Sequence, residues 1–316
     1  MSHRPVLHLP AGADLWRTEE LHQAGFDWRT ISRLLTEGTL IRLRRGCYAR
    51  RDAWKALDIT GKNRMRIAAH AHGTLTRSAG GFAYSHCSGA RLHRLKLWDA
   101  DDRIHLTQPV SPAPASHGAD VVAHRRTLSN RELVTIDGLP CTSLERTVVD
   151  CCLLLNYKQA LILVDHALRL GANLDQLREA CVKLTGRNEV KTLRRALENA
   201  DPRSESPGET LTRELLMRLK LPMPDLQVQV STREGDHRLD FAWKKTKTAL
   251  EFDGRAKYFD YEPTEEAIFK ERLREKALME DGWHFIRVQW KDLFREAEFT
   301  ARVLHALKQR PCAEAA

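Results

Sequence analysis

Three carboxylates in the stretch Arg238–Gly254, which reads RLDFAWKKTKTALEFDG, have the chemistry and the spacing to hold a hard metal ion. Asp240 lies in the first apolar run of this stretch, and Glu251 and Asp253 lie in the second. Mg²⁺ prefers carboxylate and water oxygens, so such a cluster suits this ion better than it suits zinc. Like charges at close range need neutralisation, and the alternatives are a divalent cation, neighbouring Lys and Arg side chains, or solvent.

A β-hairpin is the element that would bring these acids together. Apolar and β-prone residues alternate over 239–243 and 248–253, on either side of the lysine-rich break 244–247. This pattern predicts two antiparallel strands joined by a polar turn. Opposed residues lie roughly 5 Å apart, whereas a slip of one residue would send Asp240 to the apolar side. The predicted pairs are Trp243–Thr248, Phe241–Leu250, Asp240–Glu251 and Leu239–Phe252, with Asp253 on the acidic side.

The overall charge of the chain favours a polyanionic partner. Its 316 residues carry a net charge of +9, and the pI is near 9.3. Nucleic acid is the first partner that this balance predicts, and an anionic membrane surface is the second. A basic protein without such a partner is the alternative. The length is typical of two or three domains.

Cysteine usage and hydropathy predict a protein of the cytoplasm. The seven cysteines are odd in number and none are spaced C-x-x-C, which argues against a disulfide framework or a zinc site. The start, MSHRPVLHLPAG, lacks the apolar core of a signal peptide. No run approaches the roughly 20 apolar residues that span a bilayer. We therefore expect a cytoplasmic location and no membrane partner.

Residues 1–55 have the element order of a winged helix-turn-helix. The predicted helices are Trp16–Ala24 and Trp28–Thr36, and Asp27 is the predicted cap of the second. The following sequence, LIRLRRGCYAR, predicts a two-stranded wing with a sharp turn at Arg45-Gly46. The predicted buried stripe of the second helix is Trp28, Ile31, Leu34 and Leu35.

Five arginines of this first domain are candidates for DNA contact. The second helix would be the recognition helix and would present Arg29 and Arg33 to a groove. Arg42, Arg44 and Arg45 on the wing would meet phosphates. The alternative is that these arginines form a solvated face of a small packing domain.

The rest of the chain predicts two further domains, so the fold class is mixed α/β. Residues 60–200 predict an α/β middle domain, and residues 204–311 predict the order α-β-β-β-α-β-α, with a central mixed sheet flanked by helices. The polar, proline-bearing stretch Asp201–Pro207 is the predicted boundary. Histidines of the middle domain match no metal motif by spacing, and core or surface positions are the preferred interpretation: His70, His72, His86, His93, His105 and His124.

The order of the third domain, with acids on its second and third strands, resembles the PD-(D/E)XK restriction-endonuclease fold, and most of all Vsr-like endonuclease domains. The matching residues are LDFAW at 239–243, EFDG at 251–254, KER at 270–272 and GWHFIR at 282–287. The first two domains resemble AbiEi-type antitoxin and repressor proteins of type IV toxin–antitoxin systems. That resemblance is carried by RRGCYAR, SHCSGARLHRL and LPCTSLERTVVD.

The nuclease resemblance implies a metal-dependent site. Asp240 and Glu251 would ligate Mg²⁺, or Mn²⁺ in its place, with the Phe252 carbonyl as an extra oxygen. Glu209 matches the acid that many relatives supply from the first helix. Ser206-Pro207-Gly208-Glu209 also reads as a complete capping box, so a purely structural role for Glu209 is the alternative.

One position departs from the pattern of the family. The residue two after the strand acid is usually lysine, and here it is Asp253. Lys257 is the preferred replacement, because Gly254 allows a sharp turn back toward the acids; Lys270 and Lys276 are the other candidates.

Two functions of different class follow from these features. The first is a Mg²⁺-dependent DNA endonuclease steered by a winged helix, with an RNA-directed nuclease as a weaker variant. The second is a non-enzymatic DNA-binding regulator or antitoxin-like protein that keeps an inactive nuclease-like domain. DNA is the expected partner in both, and a homodimer and a cognate toxin remain open.

Overall fold

The chain folds into a mixed α/β structure with three separate sheets. The computed structural model describes residues 9–10, 13–74, 81–110, 118–184, 190–254 and 265–308. Lys257 and Cys312 lie outside these ranges. Contacts divide the chain into two compact units, residues 1–95 with 99–151 and residues 96–98 with 152–316. The division into three domains stays a prediction.

The first unit begins with two short helices and a hairpin, as the sequence predicts for residues 1–55. A three-stranded sheet of order β1-β3-β2 supports the helices, and Gly46, at φ 75°, forms the turn of the hairpin. Asp27 caps the second helix by accepting a hydrogen bond of 2.8 Å from the Thr30 amide. The elements are β1 Leu15–Arg17, α1 Thr18–Gln23, α2 Trp28–Glu37, β2 Leu40–Arg44 and β3 Cys47–Arg50.

Two tryptophans of this region differ from the sequence prediction. Trp16 was predicted at the start of a helix, but it lies in β1, pairs with Tyr48 of β3 and is buried. Trp28 was predicted in the buried stripe of α2, but 60% of it is exposed, and its ring packs edge-on against His22. Of that stripe, Ile31 is fully buried, because the small core of this region centres on Ile31, Leu21 and Phe26.

The remainder of the first unit surrounds a five-stranded sheet of order β6-β5-β4-β8-β7. β5 and β6 are parallel, as are β4 and β8, while the other pairs are antiparallel. Its buried core includes Ile67, Tyr84, Leu92 and Ile104. The elements are α3 Arg51–Ala56, α4 Ile59–Thr74, β4 Ala83–Tyr84, α5 His86–Leu92, β5 Ile104–Gln108, β6 Val121–Arg125, β7 Leu133–Ile136, β8 Leu139–Thr142 and α6 Leu144–Cys152.

The second unit combines a helical part with a four-stranded sheet of order β12-β11-β10-β9. β9, β10 and β11 are antiparallel neighbours, and β12 runs parallel to β11. From α10 onward the observed order is the predicted α-β-β-β-α-β-α. The elements are α7 Tyr157–Arg169, α8 Leu174–Lys183, α9 Val190–Asn199, α10 Pro207–Arg218, β9 Asp225–Thr232, β10 Gly235–Trp243, β11 Thr248–Phe252, α11 Glu265–Glu280, β12 His284–Val288 and α12 Glu296–Lys308.

Helices cover both faces of this four-stranded sheet. On one face Phe241 and Leu250 pack with Leu215 of α10 and Phe299 of α12. On the other face the small side chains of Ala242 and Ala249 pack with Leu278 of α11 and with Trp283, in a second cluster. The sheet is therefore enclosed, and its strand ends are the places where polar chemistry can reach solvent.

The stretch Asp201–Pro207 is held against its neighbours by polar contacts. The Asp201 amide donates a 2.8 Å hydrogen bond to Asp165 of α7, and Arg213 of α10 pairs with the same carboxylate at 2.7 Å. Glu205 pairs with Arg169 at 2.6 Å and with Arg238 at 2.7 Å. These contacts fix the beginning of α10. Within the described ranges, no helix has both the length and the apolar character needed to cross a membrane.

Candidate functional site

The hairpin that carries the acids has the predicted register from its turn as far as Phe241. Trp243 pairs with Thr248 and Phe241 pairs with Leu250. The connection is a 3-10 turn over Lys244–Thr246, followed by Lys247 at φ 45°. Lys244 pairs with Asp225 at 3.2 Å, and Lys247 donates to the Asp281 carbonyl at 2.8 Å. These lysines are therefore not the counter-charges of the acids.

The ladder between β10 and β11 ends at the position of Asp240. The Phe252 amide donates a 3.1 Å hydrogen bond to the Asp240 carboxylate, so that the side chain takes the place of a backbone partner. The predicted pairing of Leu239 with Phe252 is wrong. Leu239 instead packs in the cluster of Ala242, on the face opposite to Phe241.

An irregularity in β9 explains this change of face. The pairs Leu239–Val228 and Phe241–Leu226 flank the position where Asp240 meets Gln227, and Gln227 has a φ of 53°. A residue with positive φ breaks the pleat and redirects side chains, as a bulge does. Asp240 therefore lies where the side chains of β10 stop alternating regularly between the two faces of the sheet. Counting residues along the sequence could not predict this position.

Glu251 is buried beside Asp240 and is balanced by two arginines. Only 6% of the residue is exposed. Arg274 of α11 contacts its Oε1 at 2.6 Å, and Arg287 of β12 contacts its Oε2 at 2.9 Å. Burial raises the pKa of Glu251, the two arginines oppose this rise, and the negative charge of Asp240 adds to it. The alternative of a solvated acidic face is therefore wrong for Glu251.

Arg287 is shared by several acids. It lies directly beside Glu251 in the β11–β12 ladder. It also contacts Asp253 at 3.1 Å, Glu275 at 3.4 Å and Glu271 at 3.6 Å. Asp253 therefore belongs to the edge of the same charged network rather than to an isolated acidic patch.

The two arginines are the site residues that the sequence analysis missed. Arg287 lies in the GWHFIR motif and Arg274 lies on the long charged helix, but neither position by itself has a pattern that predicts a role at the site. The signal for Arg287 was present, since a parallel strand in register would place it beside Glu251. Arg274 comes from a separate helix, and only the packing of α11 brings it to Glu251.

Glu209 combines the capping role with a link to the strands. The Ser206 hydroxyl accepts a 3.2 Å hydrogen bond from the Glu209 amide, which confirms the N-cap. The predicted capping box is not complete, because the Glu209 carboxylate accepts from the Glu205 amide and not from the Ser206 amide. The buried carboxylate accepts 2.9 Å hydrogen bonds from the Glu205 amide and from the Gln227 side chain. Burial raises the pKa of Glu209. Gln227 thus connects this acid to the strand that neighbours Asp240.

The lysine candidates are only partly described. Lys257, the preferred one, lies outside the described residues. Lys270 pairs with Glu266 at 2.7 Å, and Lys276 approaches Glu280 at 3.9 Å; both lysines are exposed on α11. Neither pair involves the candidate metal ligands.

Asp240 and Glu251 are acids of the kind that ligate a hard cation. Among the described residues, no three acids bring one carboxylate oxygen each within 4.8 Å of one another. Asp240 and Glu251 together still offer the one or two carboxylates that Mg²⁺ uses when water and substrate phosphate complete its shell. The Phe252 carbonyl, the other predicted oxygen, accepts a 3.2 Å hydrogen bond from the Gly254 amide.

The candidate DNA-contacting arginines have different surroundings. Arg29 and Arg33 are exposed on α2, where Arg33 lies 3.7 Å from Glu37. Arg42 and Arg45 of the wing are also exposed. Arg44 differs, because it pairs with Asp120 and only 19% of its side chain is exposed.

The relatives to which this chain is similar bear names that state no activity. No known family model matches the chain. It is 26% identical over 207 residues to "Uncharacterized protein Rv2248" and to "Uncharacterized protein MT2308" from two strains of Mycobacterium tuberculosis, which covers 65% of this chain and 73% of each relative. The crystal structure of the RV2827C protein from Mycobacterium tuberculosis is similar with a TM-score of 0.39 and 18% identity, over 70% of this chain and 84% of that chain. Function is therefore argued from the site.

Proposed function

We propose that this chain binds DNA and hydrolyses its phosphodiester bonds with Mg²⁺, through a site built on Asp240 and Glu251. One observation carries the proposal. Where the β10–β11 ladder ends, the Asp240 carboxylate accepts a hydrogen bond from the amide of Phe252, the residue after Glu251, and its negative charge acts on Glu251. A buried acid such as Glu251, with a half-buried acid beside it, is costly unless it serves a ligand or is fully compensated.

Asp240 and Glu251 would hold the metal ion. Mg²⁺ bound there would polarise the scissile phosphate and lower the pKa of a coordinated water. The ion competes with Arg274 and Arg287 for the oxygens of Glu251, at 2.6 Å and 2.9 Å. Binding of metal and release of arginine are therefore linked in this proposal.

In this proposal, Arg274 and Arg287 take the role of the lysine that the PD-(D/E)XK family usually has two residues after the strand acid, where this chain has Asp253. Once displaced from Glu251, the guanidinium groups of Arg274 and Arg287 would face the phosphate at the strand end. Planar, permanently charged donors stabilise the negative charge that develops on phosphate oxygens. Glu209 keeps a positioning role in this scheme, because its carboxylate holds Gln227 beside the strand of Asp240.

Supercoiled plasmid tests the proposal. The protein is expected to nick or cut the plasmid with Mg²⁺ or Mn²⁺, and EDTA is expected to stop the reaction. Asp240→Asn and Glu251→Gln should lose cleavage by at least about 100-fold while keeping duplex binding. Glu266→Gln, an exposed acid on α11, serves as the control. Cleavage that persists in both site variants contradicts the proposal.

A second function is favoured by the arginine contacts. Both oxygens of Glu251 are already in ion pairs with Arg274 and Arg287, as expected of an acid that has become structural. In this alternative the chain is a non-enzymatic DNA-binding regulator. Plasmid that stays intact with either metal, together with saturable binding to a specific duplex, would favour this alternative over the nuclease.

A further inference from the structure

Three histidines of the first unit converge on one point, although nothing in their spacing predicts it. His86 begins α5, His105 lies in β5, and His124 lies in the parallel neighbour β6. One nitrogen of each lies within 4.8 Å of the others, the only such group of three His, Cys, Asp or Glu residues among those described. The sheet register accounts for this, since His124 pairs with Thr107, two residues after His105.

The geometry points to a transition-metal site, and we propose that His86, His105 and His124 bind one Zn²⁺ ion with a fourth position open to solvent or an anion. Imidazole nitrogens suit zinc and its neighbours rather than Mg²⁺ or Ca²⁺. Tetrahedral zinc with bonds of about 2.0–2.1 Å holds its nitrogens about 3.3 Å apart. His105 Nδ1 and His124 Nε2 are 3.0 Å apart, close to that value.

His105 and His86 each have one ring nitrogen beside a protein partner, which leaves the other ring nitrogen available as a metal ligand. The Asp101 carboxylate lies 3.5 Å from His105 Nε2, so a proton there leaves the Nδ1 lone pair facing His124. His86 Nδ1 lies 2.9 Å from the Ser85 hydroxyl, which accepts a 2.8 Å hydrogen bond from Thr107. Nε2 of His86 is then the nitrogen that turns inward. Outer partners of this kind fix the tautomer and orientation of metal-binding histidines.

Burial favours the neutral imidazoles that metal binding requires. His86 and His105 are buried and His124 is half-buried. His86 and His124 stack with centroids 3.6 Å apart and planes at 16°, so one of these rings must rotate for both to ligate one ion. The half-buried side of His124 gives an ion a route of entry.

The role of the proposed zinc site is independent of the nuclease proposal. Three histidines with an open fourth position are the ligand set of catalytic zinc sites, whereas structural sites usually have four protein ligands. Arg126 and Arg146 lie close enough for their charges to act on His86. This positive surrounding favours an anion, such as hydroxide or chloride, as the fourth ligand.

Metal titration of tag-free protein tests the site. Chelator-treated protein is expected to bind one equivalent of Zn²⁺ by calorimetry, and Co²⁺ is expected to give the visible bands of a tetrahedral complex. His124→Gln and His105→Gln should each lose at least about tenfold in affinity. His22→Gln, an exposed histidine of the same unit, should bind like the parent. Asp240→Asn should also bind like the parent, which separates this ion from the one at the acids.

A substitution at a less buried position tests the site with less risk of unfolding the protein. Asp101→Asn leaves all three rings in place and should weaken Co²⁺ binding by on the order of 10-fold, with far-UV circular dichroism unchanged. Folded protein that binds neither Co²⁺ nor Zn²⁺ contradicts the proposal. Binding that none of the His124, His105 and Asp101 variants alters contradicts it equally.

Discussion

At the scale of single residues, Glu251 shows how the charge of a buried acid is balanced. Its side chain contacts Arg274 and Arg287, which come from a helix and a strand that are far apart in sequence. Burying an unpaired carboxylate costs several kcal/mol, and the two guanidinium groups offset part of that cost for this acid. The same pairs make the acid sensitive to any cation that competes for it.

Removal of one arginine is expected to expose this dependence. Arg274→Gln should destabilise the protein by about 2 kcal/mol, because Glu251 stays buried with one counter-charge fewer. Urea unfolding measures the loss, and the double variant with Glu251→Gln should lose less than the sum of the two single changes. Arg272→Gln, an exposed arginine on the same helix, should change stability by less than about 0.5 kcal/mol. Equal effects for Arg274→Gln and Arg272→Gln would contradict the assignment.

The raised pKa of Glu209 predicts that this residue contributes less to the stability of the fold as the pH rises. Burial raises its pKa in the folded state, so the folded protein binds this proton more tightly than the unfolded chain does. The stabilisation is complete below the unfolded pKa of about 4.3 and is lost as the pH rises through the folded pKa. Glu209→Gln cannot titrate, so its stability should fall less between pH 4 and pH 8. Identical pH profiles by urea unfolding would show that the carboxyl is not perturbed.

At the scale of elements, the first turn of α10 is fitted closely to β11. A Cβ atom at Gly208 would lie 1.9 Å from Cε1 of Phe252. A small movement of the Phe252 side chain cannot remove so severe an overlap. The helix that carries Glu209 can therefore approach the acidic strand only because this position is glycine.

Gly208→Ala is expected to separate the helix from the sheet. Overpacking of this kind costs about 1–3 kcal/mol, so thermal unfolding should move to lower temperature. Gly73→Ala, also within a helix, is the matched control, because an added Cβ there meets nothing within 4 Å. That change should be neutral or stabilising by up to about 1 kcal/mol. A Gly208→Ala protein as stable as the control would show that the approach is loose.

The elements themselves were largely readable from the sequence, and the site was readable only in part. Alternation and the lysine-rich turn predicted the 243–248 register, because side-chain period and loop length are local properties. The turn of Leu239 to the opposite face could not be predicted, since it depends on the positive φ of Gln227 in another strand. Arg274 and the three converging histidines depend likewise on the packing of separate elements.

Errors near the amino terminus have the same origin. The composition of the sequence from Trp16 onward favours a helix, but Trp16 pairs with Tyr48 and is part of the sheet. Trp28 satisfies the apolar spacing of α2, yet the small core of this region is already filled by the rings of Trp16, Phe26 and Tyr48. Tertiary competition, and not local preference, decides both positions.

At the scale of the whole molecule, the net charge of +9 and the exposed arginines of α2 support DNA as the partner. Arg29→Ala and Arg33→Ala are expected to weaken duplex binding by about 1–3 kcal/mol each where they reach bases, or to lower the salt slope by about one where they meet phosphate. Fluorescence anisotropy across a salt series measures both. Arg178→Ala, an exposed arginine on α8, is the control, and equal binding by all three variants would remove α2 from the interface.

The central claim is that Asp240 and Glu251 share one divalent ion, and anomalous diffraction from crystals grown with Mn²⁺ tests it most directly. The account predicts a manganese peak in contact with both carboxylates and a movement of Arg274 or Arg287 away from Glu251. Saturating Mn²⁺ that leaves both arginine pairs intact, with no anomalous peak between the two acids, would contradict it.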